Sequence, residues 1–139
     1  MTANAGPIAA LSHVNLRASA AMVERLRRFY CDVIGLEEGP RPPFRSRGHW
    51  LYGGGRDLMH LTVAEEAADA SPRDSGWFDH YAFAACDVTA TRARLDAAGV
   101  AYEVDEVPAR GEVQLFLTDP AGVGVELNFA TAQVTAIGA

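Results

Sequence analysis

The chain contains 139 residues, of which 49% are hydrophobic, and carries a formal net charge of −6 at pH 7. This length is typical of one domain that buries a core without disulfides or a structural metal. The acidic balance argues against nucleic acid or an anionic membrane surface as a partner, and no apolar run approaches the roughly 18 residues that cross a membrane.

The N-terminus and the two cysteines indicate the compartment. Residues 1–13 lack the basic region and the long apolar region of a signal peptide. Cys31 and Cys86 stand alone, without the CxxC spacing that is typical of zinc sites. We therefore expect a cytoplasmic protein with two reduced and buried thiols.

The first half of the chain begins with a strand and a helix. Residues 9–17 alternate between two faces, which places His13 and Asn15 together on the face opposite the packing face. Ser19 is predicted to cap the helix that follows, because its hydroxyl can accept a hydrogen bond from a backbone N–H of the first turn. Gly35 stands where the helix is expected to end.

A proline-containing segment follows. Residues 38–48 cannot form a central strand, because three prolines remove ladder donors, so we expect a loop or an edge segment. Its three arginines either grip a carboxylate or phosphate of a substrate or are solvated charges: Arg41, Arg45 and Arg47. Strands are predicted at residues 49–53 and 57–63, and the second carries His60. His49 is expected to be a surface or packing histidine.

The second half repeats this order after a polar linker at residues 64–76. The strand predicted at residues 77–85 carries His80, and the small alanines on the same face leave space beside it. Asp87 is predicted to cap a helix that ends at Gly99. Two further strands lead to the end of the module.

The stretch at residues 113–129 predicts two strands joined by a turn at residues 119–122, where aspartate, proline and glycine supply the turn chemistry. Alternation in the second strand places Glu126 on the face opposite Val125 and Leu127. A buried, unpaired carboxylate is costly, so we expect Glu126 to have a charged or metal partner.

The spacing of four polar residues indicates an internal duplication. His13 and His80 are 67 positions apart, and His60 and Glu126 are 66 apart. A repeat of this period is one supersecondary unit used twice. We therefore predict a single domain at residues 8–130, made of a module at about 8–64 and a second at about 77–130, with tails at 1–7 and 131–139.

The duplicated residues point to a metal. If the two modules pair about a pseudo-two-fold axis, three imidazoles and one carboxylate converge. This ligand set contains no thiolate and suits iron, manganese, nickel, cobalt or zinc as a divalent ion. It does not suit calcium, which prefers sites made only of oxygen atoms.

Five stretches carry a resemblance to a known group: LSHVNL, RRFYCDVIGLEEG, DLMHLTV, FDHYAFAACDV and LFLTDPAGVGVELNF. With them, the chain resembles the vicinal oxygen chelate superfamily, which includes glyoxalase I, extradiol dioxygenases, fosfomycin-resistance proteins and bleomycin-binding proteins. The resemblance implies an α+β fold of two paired βαβββ modules, whose mixed sheets curl around a metal cavity. It also implies a homodimer, one divalent ion per site and a small-molecule substrate. The implied metal ligands are His13, His60, His80 and Glu126.

The resemblance leaves three functions open. The first is a glyoxalase-like lyase or isomerase, in which the metal stabilises an enolate of an oxygen-chelating substrate and Glu126 moves the proton. Glyoxalase I has glutamate where this chain has His60, so this chain keeps only one carboxylate. The second is an Fe(II) extradiol-type dioxygenase, with His13, His80 and Glu126 as ligands and His60 as an acid–base group. The third is a resistance-type protein that binds a small molecule without catalysis.

Overall fold

The computed structural model describes Pro7, residues 10–65 and residues 78–130. These ranges form two open four-stranded mixed sheets with helices packed against them, an α+β arrangement. The first module consists of β1 (Val14–Ala18), α1 (Ala20–Arg28), β2 (Glu37–Gly39), β3 (Gly48–Gly53) and β4 (Arg56–Val63). The second consists of β5 (His80–Ala85), α2 (Val88–Ala97), β6 (Glu103–Val107), β7 (Glu112–Thr118) and β8 (Gly124–Phe129). The predicted βαβββ order is confirmed in both.

The two modules share their strand order and their register. The sheet orders are β1-β4-β3-β2 and β5-β8-β7-β6, and in each the first strand lies parallel to the last. Asn15 pairs with His60 in the first sheet, and Ala82 pairs with Glu126 in the second. His13 lies two residues before Asn15, and His80 lies two residues before Ala82. The spacing found in the sequence therefore corresponds to one position in a repeated sheet.

Both helices begin and end near the predicted residues. The Ser19 hydroxyl accepts a hydrogen bond from the N–H of Met22, and the Asp87 carboxylate accepts one from the N–H of Ala90. The first helix continues beyond α1 as a π-helix, Phe29–Ile34, and stops at Gly35, whose φ of 100° favours glycine. The described helices are too short or too polar to cross a membrane.

Buried apolar residues of both modules form one hydrophobic core. Residues of α1 and of the inner faces of β3 and β4 contribute, as do the inner faces of β7 and β8. Complete burial of each such side chain contributes about 1.5–3 kcal/mol. Among the largest fully buried side chains are Tyr30, Phe129, Leu26, Leu51, Met59, Leu61 and Leu115.

Leu95 of α2 is also fully buried, so both helices reach the same core. A polar contact also joins the two modules. The hydroxyl of Tyr30 donates to Oδ2 of Asp119 at 2.7 Å and is hydrogen-bonded to the hydroxyl of Tyr81. Burial raises the pKa of both tyrosines. Oδ1 of the same carboxylate accepts the N–H groups of Ala121 and Val123, so the buried aspartate is satisfied on both sides.

Two details differ from the sequence predictions, and the predicted domain bounds are not tested. β1 begins at Val14, so His13 precedes the strand instead of lying within it. Val14 pairs with Met59, and the next residue of β4 that could pair with His13 is Leu58, where β4 bulges. Cys31 and Cys86 are free, but Cys31 is only partly buried and Cys86 is exposed, so the predicted burial of both thiols is wrong. The predicted tails and most of the predicted linker, at residues 1–6, 131–139 and 66–77, lie outside the described residues, and the domain bounds stay a prediction.

Candidate metal centre

The residue before each opening histidine contacts its ring. A hydrogen bond of 3.1 Å joins the Ser12 hydroxyl to Nδ1 of His13. In the second module, Nδ1–H of His80 donates to the Asp79 carboxylate at 2.6 Å. A partner on Nδ1 orients the ring and leaves Nε2 as the atom that can bind a metal. In both modules, the first histidine is therefore oriented by a hydrogen bond between its Nδ1 and the side chain of the preceding residue.

The second module brings two of the predicted ligands together. Nε2 of His80 lies 3.6 Å from Oε1 of Glu126, whose residue is only 7% exposed. The other carboxylate oxygen is within 3.4–3.5 Å of the side-chain amides of Gln114 and Asn128, which are long hydrogen bonds. Phe116 packs edge-on against His80, with 6.1 Å between ring centroids. His80 and Glu126 thus offer one nitrogen and one oxygen donor on two neighbouring strands, β5 and β8.

The first module holds its pair in a stack of rings. His60 is 7% exposed and lies between Trp50 and His13, with ring centroids 4.0 Å and 3.9 Å away. Nε2 of His60 donates to Oδ2 of Asp57 at 2.7 Å. This hydrogen bond holds the pKa of the Asp57 carboxyl below its usual range. The stack and the carboxylate together fix the orientation of His60.

Asp57 reaches His60 because of a bulge in β4. Met59 and Asp57 pair with consecutive residues of β3, so Leu58 is an extra residue in β4. Strict alternation would place Asp57 on the core face with Met59. The extra residue reverses the alternation and moves the carboxylate to the face of His60. Sequence periodicity carries no signal for this contact, and Asp57 was not predicted as a site residue.

The four predicted residues form two pairs within one chain. Ligand atoms of His13, Asp57 and His60 lie within 4.8 Å of one another, and no other group of three or more such residues occurs in the described ranges. His80 and Glu126 form the second pair. Two donors on one ion, with bonds of about 2.1 Å, can be at most about 4.2 Å apart, and the separation of 3.6 Å satisfies this limit. The two imidazoles of the first pair, with the Asp57 carboxylate beside them, and the imidazole and carboxylate of the second pair suit a divalent first-row metal.

A cavity of about 580 Å³ lies beside the histidines of the first module. Its walls include the candidate metal-binding group, His13, Asp57 and His60, and two aromatic rings, Phe44 and Trp50. Arg17 and Arg41 also line it. Of the three arginines singled out in the sequence, Arg41 is thus the one that reaches the cavity, since Arg47 forms an ion pair with Glu65 and Arg45 is exposed.

His49, expected at the surface or in packing, is hydrogen-bonded to Glu38 on the neighbouring edge strand. Sequence reasoning missed Ser12, Asp57 and Asp79 as partners of the histidines. For Ser12 and Asp79 a signal exists, because a polar residue directly precedes the histidine at the opening of each module.

Solved structures with the same fold come from several bacteria. A glyoxalase family protein from Bacillus anthracis is 24% identical, with a TM-score of 0.69 over 90% of this chain and 98% of that one. Lactoylglutathione lyase from Agrobacterium tumefaciens is 22% identical, with a TM-score of 0.64 over 91% and 98% of the two chains. At these identities the likeness establishes the fold alone.

A third structure was determined with a metal. It is a variant of the fosfomycin resistance protein FosX from Listeria monocytogenes, in complex with Mn(II) and 1S,2S-dihydroxypropylphosphonic acid. It is 17% identical, with a TM-score of 0.63 over 93% of this chain and 98% of that one. No curated protein matches the chain in sequence. The sequence model of one family matches residues 10–127, and the chain belongs to that family, the Glyoxalase/Bleomycin resistance protein/Dioxygenase superfamily.

Proposed function

We propose that this protein is a divalent-metal-dependent enzyme that acts on a small substrate with two vicinal oxygens, by lyase or isomerase chemistry. The ligands in this proposal are His13, His60, His80 and Glu126. The observation that carries it is the placement of two donor pairs at the same register in two copies of one sheet. A random scatter of histidines would not follow the internal repeat.

The bound ion would act as a Lewis acid that polarises the vicinal oxygens of the substrate and makes the adjacent C–H bond more acidic. Glu126 is the group that takes this proton. Its carboxylate is buried, and its protein hydrogen bonds are long, so it can change position at little cost. Because the Glu126 carboxylate is buried, little water competes with the protein's fixed donors for the charge that develops on the substrate.

A homodimer is part of the proposal. Within one described chain the donors of the first module and those of the second form separate pairs, and neither pair alone supplies four ligands. Pairing of two chains about a two-fold axis makes two equivalent sites, each with the first module of one chain and the second module of the other.

Mixed dimers test this arrangement. His13→Ala and His80→Ala each damage both sites of their own homodimer. A dimer of one variant with the other has two shared sites. One of these sites combines both damaged modules, and the other combines both intact modules. Random mixing of the two variants should therefore restore about a quarter of the wild-type metal content, measured by elemental analysis after unfolding and joint refolding. His49→Ala, which removes a histidine outside the pairs, is the control and should bind metal as the wild type does.

Two results would contradict the proposal separately. If the mixture recovers no metal although both parent variants form dimers, the shared site is excluded. A wild-type protein that takes up no divalent ion from Mn(II), Fe(II), Co(II), Ni(II) or Zn(II) removes the metal chemistry itself.

One contact favours a second candidate, the Fe(II) extradiol-type dioxygenase. Because Nε2 of His60 is hydrogen-bonded to Asp57, this histidine can serve as an acid–base group instead of a ligand, with His13, His80 and Glu126 holding the ion. The two reactions are separated by oxygen. Consumption of O₂ with a panel of catechols under Fe(II) supports the dioxygenase, whereas anaerobic turnover of α-hydroxy or α-keto compounds supports the isomerase.

A further inference from the structure

The loop at residues 40–47 holds one guanidinium at the cavity of the first module. Nη1 of Arg41 donates to the backbone oxygen of Ser46 at 2.9 Å, and Nη2 donates to the Ser46 hydroxyl at 3.1 Å. The guanidinium carbon lies 5.0 Å from the centroid of the Phe44 ring, a cation–π contact. These contacts hold the Arg41 guanidinium in one position, whereas an arginine without partners samples many rotamers.

A continuous series of ring contacts connects this charge to the metal-binding group. Phe44 lies 6.0 Å from Trp50, Trp50 stacks on His60, and His60 stacks on His13. The cavity beside these rings is lined by Arg41 at one part and by the histidines at another. A flat or small ligand bound at the histidines therefore lies along an aromatic wall that leads to the guanidinium.

Arg41 retains donors that the protein does not use. A guanidinium has five N–H groups, and Ser46 accepts two of them. Its Nε is buried without a hydrogen-bond partner. No carboxylate of the described ranges lies within ion-pair distance of Arg41, whereas Arg47 in the same loop is paired with Glu65. The one carboxylate in the cavity wall, Asp57, is engaged by His60.

We propose that Arg41 binds an anionic group of the substrate, a carboxylate or a phosphate-type group, at a distance from the two oxygens that chelate the metal. This inference rests on the proposed function, and it narrows the substrate to small anionic compounds. A guanidinium is suited to this role because its donors match the paired oxygens of carboxylates and phosphonates. The aromatic wall adds apolar contact with the part of the substrate between the two anchors.

Matched chelators test the assignment. Protein loaded with Zn(II) is titrated calorimetrically, without oxygen, with 3,4-dihydroxyphenylacetate, with 3,4-dihydroxybenzylphosphonate and with neutral 4-methylcatechol. We expect the wild type to bind at least one anionic catechol about tenfold or more tightly than the neutral one. Arg41→Gln should reduce this ratio to near one and leave the Kd for 4-methylcatechol unchanged. The two anionic probes distinguish a carboxylate from a phosphonate ligand.

Arg45→Gln is the control, because Arg45 lies in the same loop, is exposed and does not line the cavity. It should keep the wild-type ratio. Ser46→Ala loosens Arg41 without removing its charge and should lower the ratio only in part. Equal binding of all three catechols by the wild type overturns the proposal, and so does a ratio that survives Arg41→Gln.

A metal-free arm separates this inference from the proposed function. Phenylacetate and phenylphosphonate, with benzyl alcohol as the neutral comparison, are titrated into protein without metal while tryptophan fluorescence is recorded. A preference for the anions that disappears in Arg41→Gln supports the role of Arg41 even if Zn(II) and the catechols do not bind. Equal response to anion and alcohol in this arm contradicts it.

Discussion

The two modules have the same backbone design, but the second predicted ligand has different neighbours in each. Trp50 pairs with His60 across the first sheet, and Phe116 pairs with Glu126 at the same place in the second. In the first module the aromatic ring stacks on the predicted ligand, His60. In the second module the aromatic ring contacts His80 instead, and amide side chains face the carboxylate. The repeated sheet thus determines the positions of the predicted ligands, while their neighbours determine the chemistry of each one.

The modules also differ in the loop that follows the edge strand. β2 is only three residues long, because prolines follow it, and residues 40–47 then form a loop that reaches the cavity. In the second module β6 has five residues and residues 108–111 make a short connection through a 3₁₀ turn. The anion-binding residue that we propose, Arg41, therefore belongs to the first module. The second module contributes the base in our proposal.

The turns before the last strand of each module make the first prediction. The first module uses Gly54 and Gly55, both at positive φ, whereas the second uses the buried carboxylate of Asp119. Asp119→Ala would leave the Tyr30 hydroxyl and two backbone N–H groups without their acceptor. We expect a loss of about 3 kcal/mol in the free energy of unfolding, measured by urea denaturation.

Two further variants sharpen this contrast. Gly55→Ala introduces a side chain at a φ of 77° in open space, and backbone strain alone should cost about 1 kcal/mol. Tyr30→Phe removes one of the three donors and should cost less than Asp119→Ala. Similar losses at Asp119 and Gly55 would show that the buried carboxylate is not the stronger determinant of the two turns.

The sequence predicted the parts of the molecule that depend on local chemistry. The caps at Ser19 and Asp87 and the stop at Gly35 follow from side-chain and φ preferences within a few residues, and the structure confirms them. The repeat was visible because equal sheet positions keep equal spacing. The contact of Asp57 with His60 was not predictable, since one extra residue in β4 reverses the face that alternation assigns.

Contacts between the modules were also beyond the sequence. Tyr30 belongs to an apolar helical pattern and Asp119 to a turn pattern, and each has a sufficient local explanation. Their hydrogen bond depends on how the helix of one module packs against the turn of the other. For the same reason, the sequence predicted four ligands but did not predict their division into two pairs within one chain.

The carboxylates that orient the histidines give the second prediction. Asp79 belongs to the second module and Asp57 to the first, and each accepts a hydrogen bond from a predicted ligand. Asp79→Asn and Asp57→Asn should each weaken binding of a divalent ion by roughly 10- to 100-fold, measured by competition with a chelating dye. Asp32→Asn, at an exposed position of the π-helix, is the control and should leave the affinity unchanged. An effect at only one of the two carboxylates would mean that the modules do not support their histidines equally.

The smallest effect is expected at the helices. In α1, Glu24 is hydrogen-bonded to Arg27 and forms ion pairs with Arg27 and Arg28, whereas the described residues of α2 form no ion pair. The hydrogen bond from Arg27 lowers the pKa of Glu24 from 4.5 to about 2. Because the pKa in the folded protein is below its unfolded value, this contribution to stability is complete above pH 4.5 and is lost as the pH falls towards 2.

Glu24→Gln should therefore flatten the decrease in unfolding free energy between pH 4.5 and 2, measured by urea denaturation at several pH values, and change stability at pH 7 only slightly, since exposed ion pairs contribute little. Glu103→Gln, an exposed carboxylate of the second module, removes the same charge without breaking an ion pair of the described residues and shows the effect of net charge alone. If both variants follow the wild-type pH profile, the ion pairs of α1 do not contribute to acid stability, and the two helices are equivalent in this respect despite their different surfaces.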